Sequence, residues 1–164
     1  MTHVALAPFD PSSPPAVTEW VTSAAEAEAW AGLLEWPLPP GLLDRWHELP
    51  DVLPFVLLLD GVPAGYAEIW LDVDENEAEL ARIVVNPAHR GRGNGRAFVR
   101  LLAAEAERLG LADVWLRVVP ENAAAISCYR AAGFVRAAAA EEESFNAGQP
   151  RRYVWMRYGG PRTT

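Results

Sequence analysis

The chain has no lysine; all 14 of its basic residues are arginine. That absence excludes a nucleotide-triphosphate loop, which needs a lysine directly after its last glycine. With alanine so abundant, the arginine usage reads as base composition. Cysteine is scarce too. A single Cys128 excludes an internal disulfide and fits a reducing compartment, so the expected location is cytoplasmic. No run approaches the ~18 apolar residues of a membrane span. The longest candidate, Phe55 to Leu59, is strand-sized, and no membrane association is expected. The N-terminus lacks a basic stretch followed by an apolar one, so no secretory leader is expected. His3, His47 and His89 show no ligand spacing, so no metal is expected. A net charge of −8 argues against a nucleic-acid partner.

The 164 residues, 51% of them hydrophobic, suffice for one domain with a core, and residues 1–164 are expected to form one. The charge is uneven. Arg82, Arg90, Arg92, Arg96 and Arg100 fall in a stretch without acids, Leu80 to Ala104. A basic island in an acidic chain points to a small anionic ligand.

Periodicity places the elements. Residues 3 to 9 alternate weakly as a first strand. Thr18 to Leu34 has helical spacing, with Thr18 and Ser23 as candidate caps. A short helix is expected from Leu42 to Leu49. Val52 to Leu59, Gly65 to Asp72 and Glu77 to Val85 read as an antiparallel meander, with Asp60-Gly61 as a turn. A helix from Arg92 to Leu109, a strand from Ala112 to Val119, a helix from Asn122 to Ala132 and a strand from Phe134 to Ala139 follow. Glu141 to Arg151 reads as a polar loop and Arg152 to Tyr158 as a last strand. The tail from Gly159 to Thr164 is expected to fray. Helix–strand alternation after a meander predicts an α/β (α+β) fold: a mixed, mainly antiparallel sheet of six to seven strands with helices on both faces.

One loop carries chemistry. Arg90-Gly91-Arg92-Gly93-Asn94-Gly95 follows a strand and opens a helix. Glycines let the backbone approach a ligand closely, and a helix start adds free N–H donors and the positive dipole end. Such a cradle suits a pyrophosphate. The dinucleotide pattern G-x-G-x-x-G fails, because Arg96 or Phe98 stands where its third glycine belongs. What remains is Arg-x-x-Gly-x-Gly.

That pattern, on Arg90, Gly93 and Gly95, resembles motif A of the GCN5-related N-acetyltransferase (GNAT) superfamily. A second segment, Asn122-x-x-Ala125-x-x-x-Tyr129 followed by Gly133-Phe134, is similar to its motif B. The core of the match runs from about Val52 to Tyr158, with the clear motifs from Glu79 to Phe134; the N-terminal helices match only in kind. The resemblance implies a bulged strand splayed from its parallel neighbour, with acetyl-CoA in the cleft. It places the pantetheine arm along Ile83, Val84 and Val85, and the pyrophosphate on the amides from Gly91 to Arg96. Asn122 caps a helix or reaches the pantetheine, and Tyr129 lies two turns further on.

Direct acyl transfer to an amine needs a base, an oxyanion donor and an acid for the departing thiolate. The resemblance implies Tyr129 as acid and a backbone N–H of Val84 or Val85 as oxyanion donor. Glu79, eleven residues before Arg90, has the spacing of the family's glutamate base; strand alternation sets it on a face with Ala81 and Ile83. Glu68 and Glu77 are the rivals, and a water chain is the alternative. Cys128 lacks a His or Asp partner at catalytic spacing. The acceptor pocket is expected among Trp30, Trp36, Trp46 and Trp70, with nearby acids that suit a cationic amine. A polyamine, an amino acid, an aminoglycoside-like amine and a protein N-terminus all remain open, as do monomer and homodimer. The alternative function is a non-catalytic acyl-CoA-binding regulatory module.

Overall fold

The computed structural model describes residues 1–160. The part of the expected tail from residue 161 on lies outside the described residues. Among the described residues seven strands form one sheet, in the order β1-β2-β3-β4-β5-β7-β6. They are β1 (Val4–Pro8), β2 (Val52–Leu59), β3 (Val62–Asp72), β4 (Glu77–Val85), β5 (Asp113–Val118), β6 (Phe134–Arg136) and β7 (Val154–Tyr158). Every pair is antiparallel except β4 with β5. The helices are α1 (Ala24–Ala31), α2 (Leu42–His47), α3 (Asn94–Arg108), α4 (Ala123–Ala132) and α5 (Ala139–Asn146). Among the described residues no helix is long and apolar enough to cross a membrane.

The sheet separates two apolar layers. On one face Phe98, Val99, Leu102 and Ala106 of α3 pack on Leu57, Ile69, Leu80, Leu116 and Met156. That face brings α3 very close to β3, where a Cβ on Gly65 would sit 3.0 Å from the Phe98 ring. On the other face Val17, Trp20, Ala27, Trp30 and Leu42 cover Tyr66 and Val84.

Several elements differ from the periodic reading; the expected strand Phe134 to Ala139, for one, stops at Arg136, and Ala139 already begins α5. Thr18 to Leu34 is a 3-10 turn, Val17–Trp20, and then α1. The break is made by Ser23, whose hydroxyl accepts the Glu26 amide, and by Gly32, which ends α1 in the left-handed region. Thr18 therefore lies inside the turn and caps nothing. β3 begins at Val62, not Gly65, because Asp60 (φ 49°) and Gly61 (φ 80°) form the whole of a two-residue hairpin turn. Part of the expected loop Glu141 to Arg151 is α5. Its first turn carries Glu141 and Glu142 at the positive end of the dipole. Its Phe145 packs against Trp115 and Trp155 at 4.9 and 5.1 Å between ring centroids.

Candidate active site

The cleft starts where β4 and β5 part. They pair in parallel only from Glu77 and Asp113 to Leu80 and Leu116. Immediately beyond, β4 is bulged: Glu68 pairs with Ala81 and Tyr66 with Val84, so two residues, Arg82 and Ile83, oppose Ala67 alone. Arg82 takes a left-handed conformation, φ 50°, unusual for a side chain of its size. A bulge increases local twist and bends the strand. Here it coincides with the divergence and leaves the edge of β4 toward β5 open at Ile83, Val84 and Val85. It also shifts the side-chain alternation. Glu79 and Ala81 share a face as expected, but Ile83 packs on the α3 side and Val84 takes its place among the α1 residues.

A buried network holds the bulge. Glu68 is 0% exposed and accepts from Tyr66 Oη at 2.6 Å, Trp70 Nε1 at 2.8 Å and Arg82 Nη1 at 2.8 Å. The Arg82 guanidinium lies 3.6 Å from the Trp46 ring centroid and 4.9 Å from that of Trp70. Its backbone carbonyl accepts from Trp30 Nε1 at 2.8 Å. His47 Nε2 is 2.9 Å from Tyr66 Oη. Left-handed backbone at a non-glycine residue costs ~1–3 kcal/mol and persists where surroundings over-determine it. Three donors hold Glu68 and it does not line the cleft, both of which disfavour it as the base.

The space between the parted strands measures about 530 Å³. At one end lies the glycine loop. Gly91 and Gly93 have φ of 75° and 80°, and α3 starts at Asn94 rather than at the expected Arg92. The first backbone bond of the helix runs from the Ala97 amide to the Gly93 carbonyl, so the amides of Asn94, Gly95 and Arg96 precede it. Asn94 Nδ2 ties the loop to the His89 carbonyl at 2.9 Å.

The basic island divides. Arg90 is exposed but pinned, donating to the Val85 and Trp20 carbonyls and to Glu26 at 2.6 Å. Arg100 donates to the Ala131 carbonyl. With Arg82 bound to Glu68, only Arg92 and Arg96 are exposed and without a side-chain partner among the described residues. Free amides, a positive helix end and two free guanidinium groups fit a pyrophosphate.

Ile83, Val84, Val85, Arg90, Gly95, Asn122 and Tyr129 all line the cleft. Asn122 Oδ1 accepts the Ala125 amide at 3.2 Å, so its side chain caps α4 while facing the cavity. Burial, and after it the neighbouring Cys128, raises the Tyr129 phenol well above its usual value, which keeps it protonated. Burial likewise raises the Cys128 thiol, and Arg96 opposes it. Cys128 packs against α3 beside Gly95.

At the other end stand Glu79, Trp30 and Trp70. Glu79 is held by Arg117, Nε to Oε1 at 2.6 Å and Nη2 to Oε2 at 3.1 Å. Burial pushes its carboxyl up and the Arg117 guanidinium pulls it down; the net direction is upward. Trp36, expected in this pocket, is 40% exposed and lies off the cleft wall. Glu77 is also off the wall. Sequence reasoning missed Arg117, Glu28 and Tyr153, which all line the cleft. For Arg117 a signal existed: it is a lone charge in the apolar strand Val114 to Val118.

A slot between parted parallel strands, closed at one end by a helix-opening anion cradle, defines the architectural class. The model of the acetyltransferase (GNAT) family matches residues 16–134. The chain belongs to that family. It is 40% identical over 82 residues to the ribosomal protein bS18-alanine N-acetyltransferase of Escherichia coli K12, covering 50% of this chain and 54% of that protein. The chain thus spans about half the length of that relative. Two solved structures share the fold. One is the aminoglycoside acetyltransferase AAC(6')-Ib in complex with ribostamycin and coenzyme A (TM-score 0.76, 22% identity, 94% and 92% covered). The other is the spermidine N-acetyltransferase of Vibrio cholerae with CoA and spermine (TM-score 0.71, 18% identity, 94% and 92% covered).

Proposed function

We propose that residues 1–164 form one acetyltransferase domain that moves an acetyl group from acetyl-CoA to a primary amine by direct attack, in the cytoplasm. The observation that carries this reading is the continuity of the slot. It runs from the amides before Ala97, along the open edge of β4, to Tyr129 and Glu79. The similar structures solved with CoA and an amine ligand support it, as does the likeness to an alanine N-acetyltransferase.

Each group has a role. The amides from Gly91 to Arg96, with Arg92 and Arg96, hold the pyrophosphate. Ile83, Val84 and Val85 offer backbone groups to the pantetheine. An amide at Val84 or Val85 donates to the thioester oxygen as negative charge gathers there. Glu79 accepts the proton of the attacking amine, helped by the burial that raises its carboxyl. As the C–N bond forms and the C–S bond breaks, the Tyr129 phenol gives its proton to the sulfur.

Tyr129→Phe tests the assignment. It is expected to lower kcat by about 10²–10⁴-fold while leaving acetyl-CoA affinity within a few-fold. A kcat within threefold of the parent would remove Tyr129 from the role. Acetyl-CoA binding without CoA release across a broad amine panel would favour a non-catalytic acyl-CoA-binding module instead.

A further inference from the structure

The cleft wall has carboxylates but no spare negative charge. Glu26 is paired with Arg90 at 2.6 Å, and Glu79 with Arg117. Glu28 meets Arg151 at 3.4 Å. Arg151 belongs to the segment between α5 and β7, and its Nη2 also reaches both oxygens of Glu121 at 2.6 and 2.8 Å. That segment therefore brings a guanidinium across to both α1 and the start of α4. Among the described residues, every carboxylate on the cleft wall already has a guanidinium partner. A polycationic acceptor would have to displace these arginines and would gain no net neutralisation.

Glu79 restricts the acceptor further by geometry, because Arg117 grips both of its oxygens and leaves it little freedom to follow an ammonium proton. A base so held favours an amine that is already largely neutral. At about pH 7.5 roughly a third of a peptide α-amine is neutral, against roughly 0.1% of an alkyl amine of pKa ~10.4, a difference of about 250-fold.

Arg117 adds a positive feature. Three of its N–H groups serve Glu79 and Gln149, and the remaining two have no partner among the described residues. Trp70, Tyr153 and Trp155 surround its guanidinium, with ring centroids at 5.7, 5.4 and 4.9 Å. A fixed planar donor beside the base suits a carbonyl oxygen adjacent to the amine.

We propose that the acceptor is an α-amine next to a neutral carbonyl, the amino end of a peptide or of an amino-acid amide, and that Arg151 helps exclude polycations. This rests on the amine-acylation reading above. The test is CoA release by the full chain with acetyl-CoA and five acceptors: alaninamide, an alanine-initiated tripeptide, an N-terminally blocked lysine peptide, spermidine and an aminoglycoside.

At about pH 7.5 the free α-amines should exceed the blocked lysine peptide in kcat/KM by at least about 50-fold, and should also exceed spermidine and the aminoglycoside. The gap should narrow toward about pH 9.5, where the neutral fraction rises roughly 90-fold for alkyl amines and about threefold for α-amines. A tripeptide preferred over alaninamide identifies a chain end as the source; parity identifies the small amide; both support the proposal. Spermidine or the aminoglycoside used as well as the α-amines overturns it and leaves acyl transfer standing. Acetyl-CoA binding with no release from any acceptor overturns both. Arg151→Gln, which frees Glu28, should raise the spermidine-to-tripeptide ratio several-fold; an unchanged ratio refutes the role of Arg151.

Discussion

Replacing Arg82 by methionine separates its charge from its bulk at the bulge. Methionine keeps an unbranched apolar stem between Trp46 and Trp70 and removes the guanidinium that meets Glu68 at 2.8 Å. The carboxylate is then left fully enclosed without its counter-ion. Stranding one member of a buried pair costs about 3–5 kcal/mol. Tyr66 and Trp70 still donate to Glu68, so the lower figure, about 3 kcal/mol, applies. For a domain of this size that lowers Tm by roughly 6–12 °C. Adding Glu68→Gln removes the charge; its amide oxygen at the Oε1 position still accepts from Trp70, and its NH2 at the Oε2 position donates to Tyr66 Oη, whose own proton can turn to His47, so the double variant should regain about half of the loss. Urea and thermal unfolding followed by circular dichroism measure both values. A loss below about 1 kcal/mol for Arg82→Met would refute the reasoning, as would a double variant no more stable than the single one.

Two further outcomes follow from the packing and the charges. Gly65→Ala forces a Cβ to within 3.0 Å of the Phe98 ring and 3.1 Å of Leu57 Cβ, so it should cost about 1–3 kcal/mol in urea unfolding; an unchanged midpoint would show that α3 yields freely. The Arg136 guanidinium, with the Trp155 amide assisting against burial, holds the Glu142 carboxyl below its usual 4.5. Because the folded state lowers this pKa, its stabilisation is full above 4.5 and is lost as pH falls through the lower, folded value. Glu142→Gln should therefore flatten the acid side of the stability profile, and an unaltered slope would contradict the assignment.

Much of this architecture is legible in the chain. Val52–Leu59 and Glu77–Val85 match the periodic reading residue for residue, because strongly apolar runs between turn residues leave few alternatives. The helix-opening loop was readable for a local reason: glycines and a following amphipathic helix specify it without distant partners. Elements set by tertiary contact were not readable. Helical spacing from Thr18 to Leu34 cannot register that Ser23 and Gly32 cut it, and the acids of α5 concealed a helix that Phe145 anchors between two tryptophans. Alternation cannot reveal a bulge, so Ile83 was placed on the wrong face. The wall around Glu79 depended on pairings across long separations, Glu79 with Arg117 over 38 residues and Glu28 with Arg151 over 123. Glu68 resembled a base for the same reason, since its hydrogen bonds from Tyr66, Trp70 and Arg82 exist only once the strands are paired.

Isothermal titration of the full chain with acetyl-CoA, repeated on the Arg92→Ala/Arg96→Ala double variant, tests the central claim that the slot between β4 and β5 holds the acyl donor. Saturable one-to-one binding by the parent chain is expected. So are a rise in Tm at saturation corresponding to about 2.7 kcal/mol at a hundredfold excess over Kd, and clearly weaker binding by the variant. Absence of both heat and thermal stabilisation up to about 1 mM acetyl-CoA, or equal binding by parent and variant, would contradict that claim.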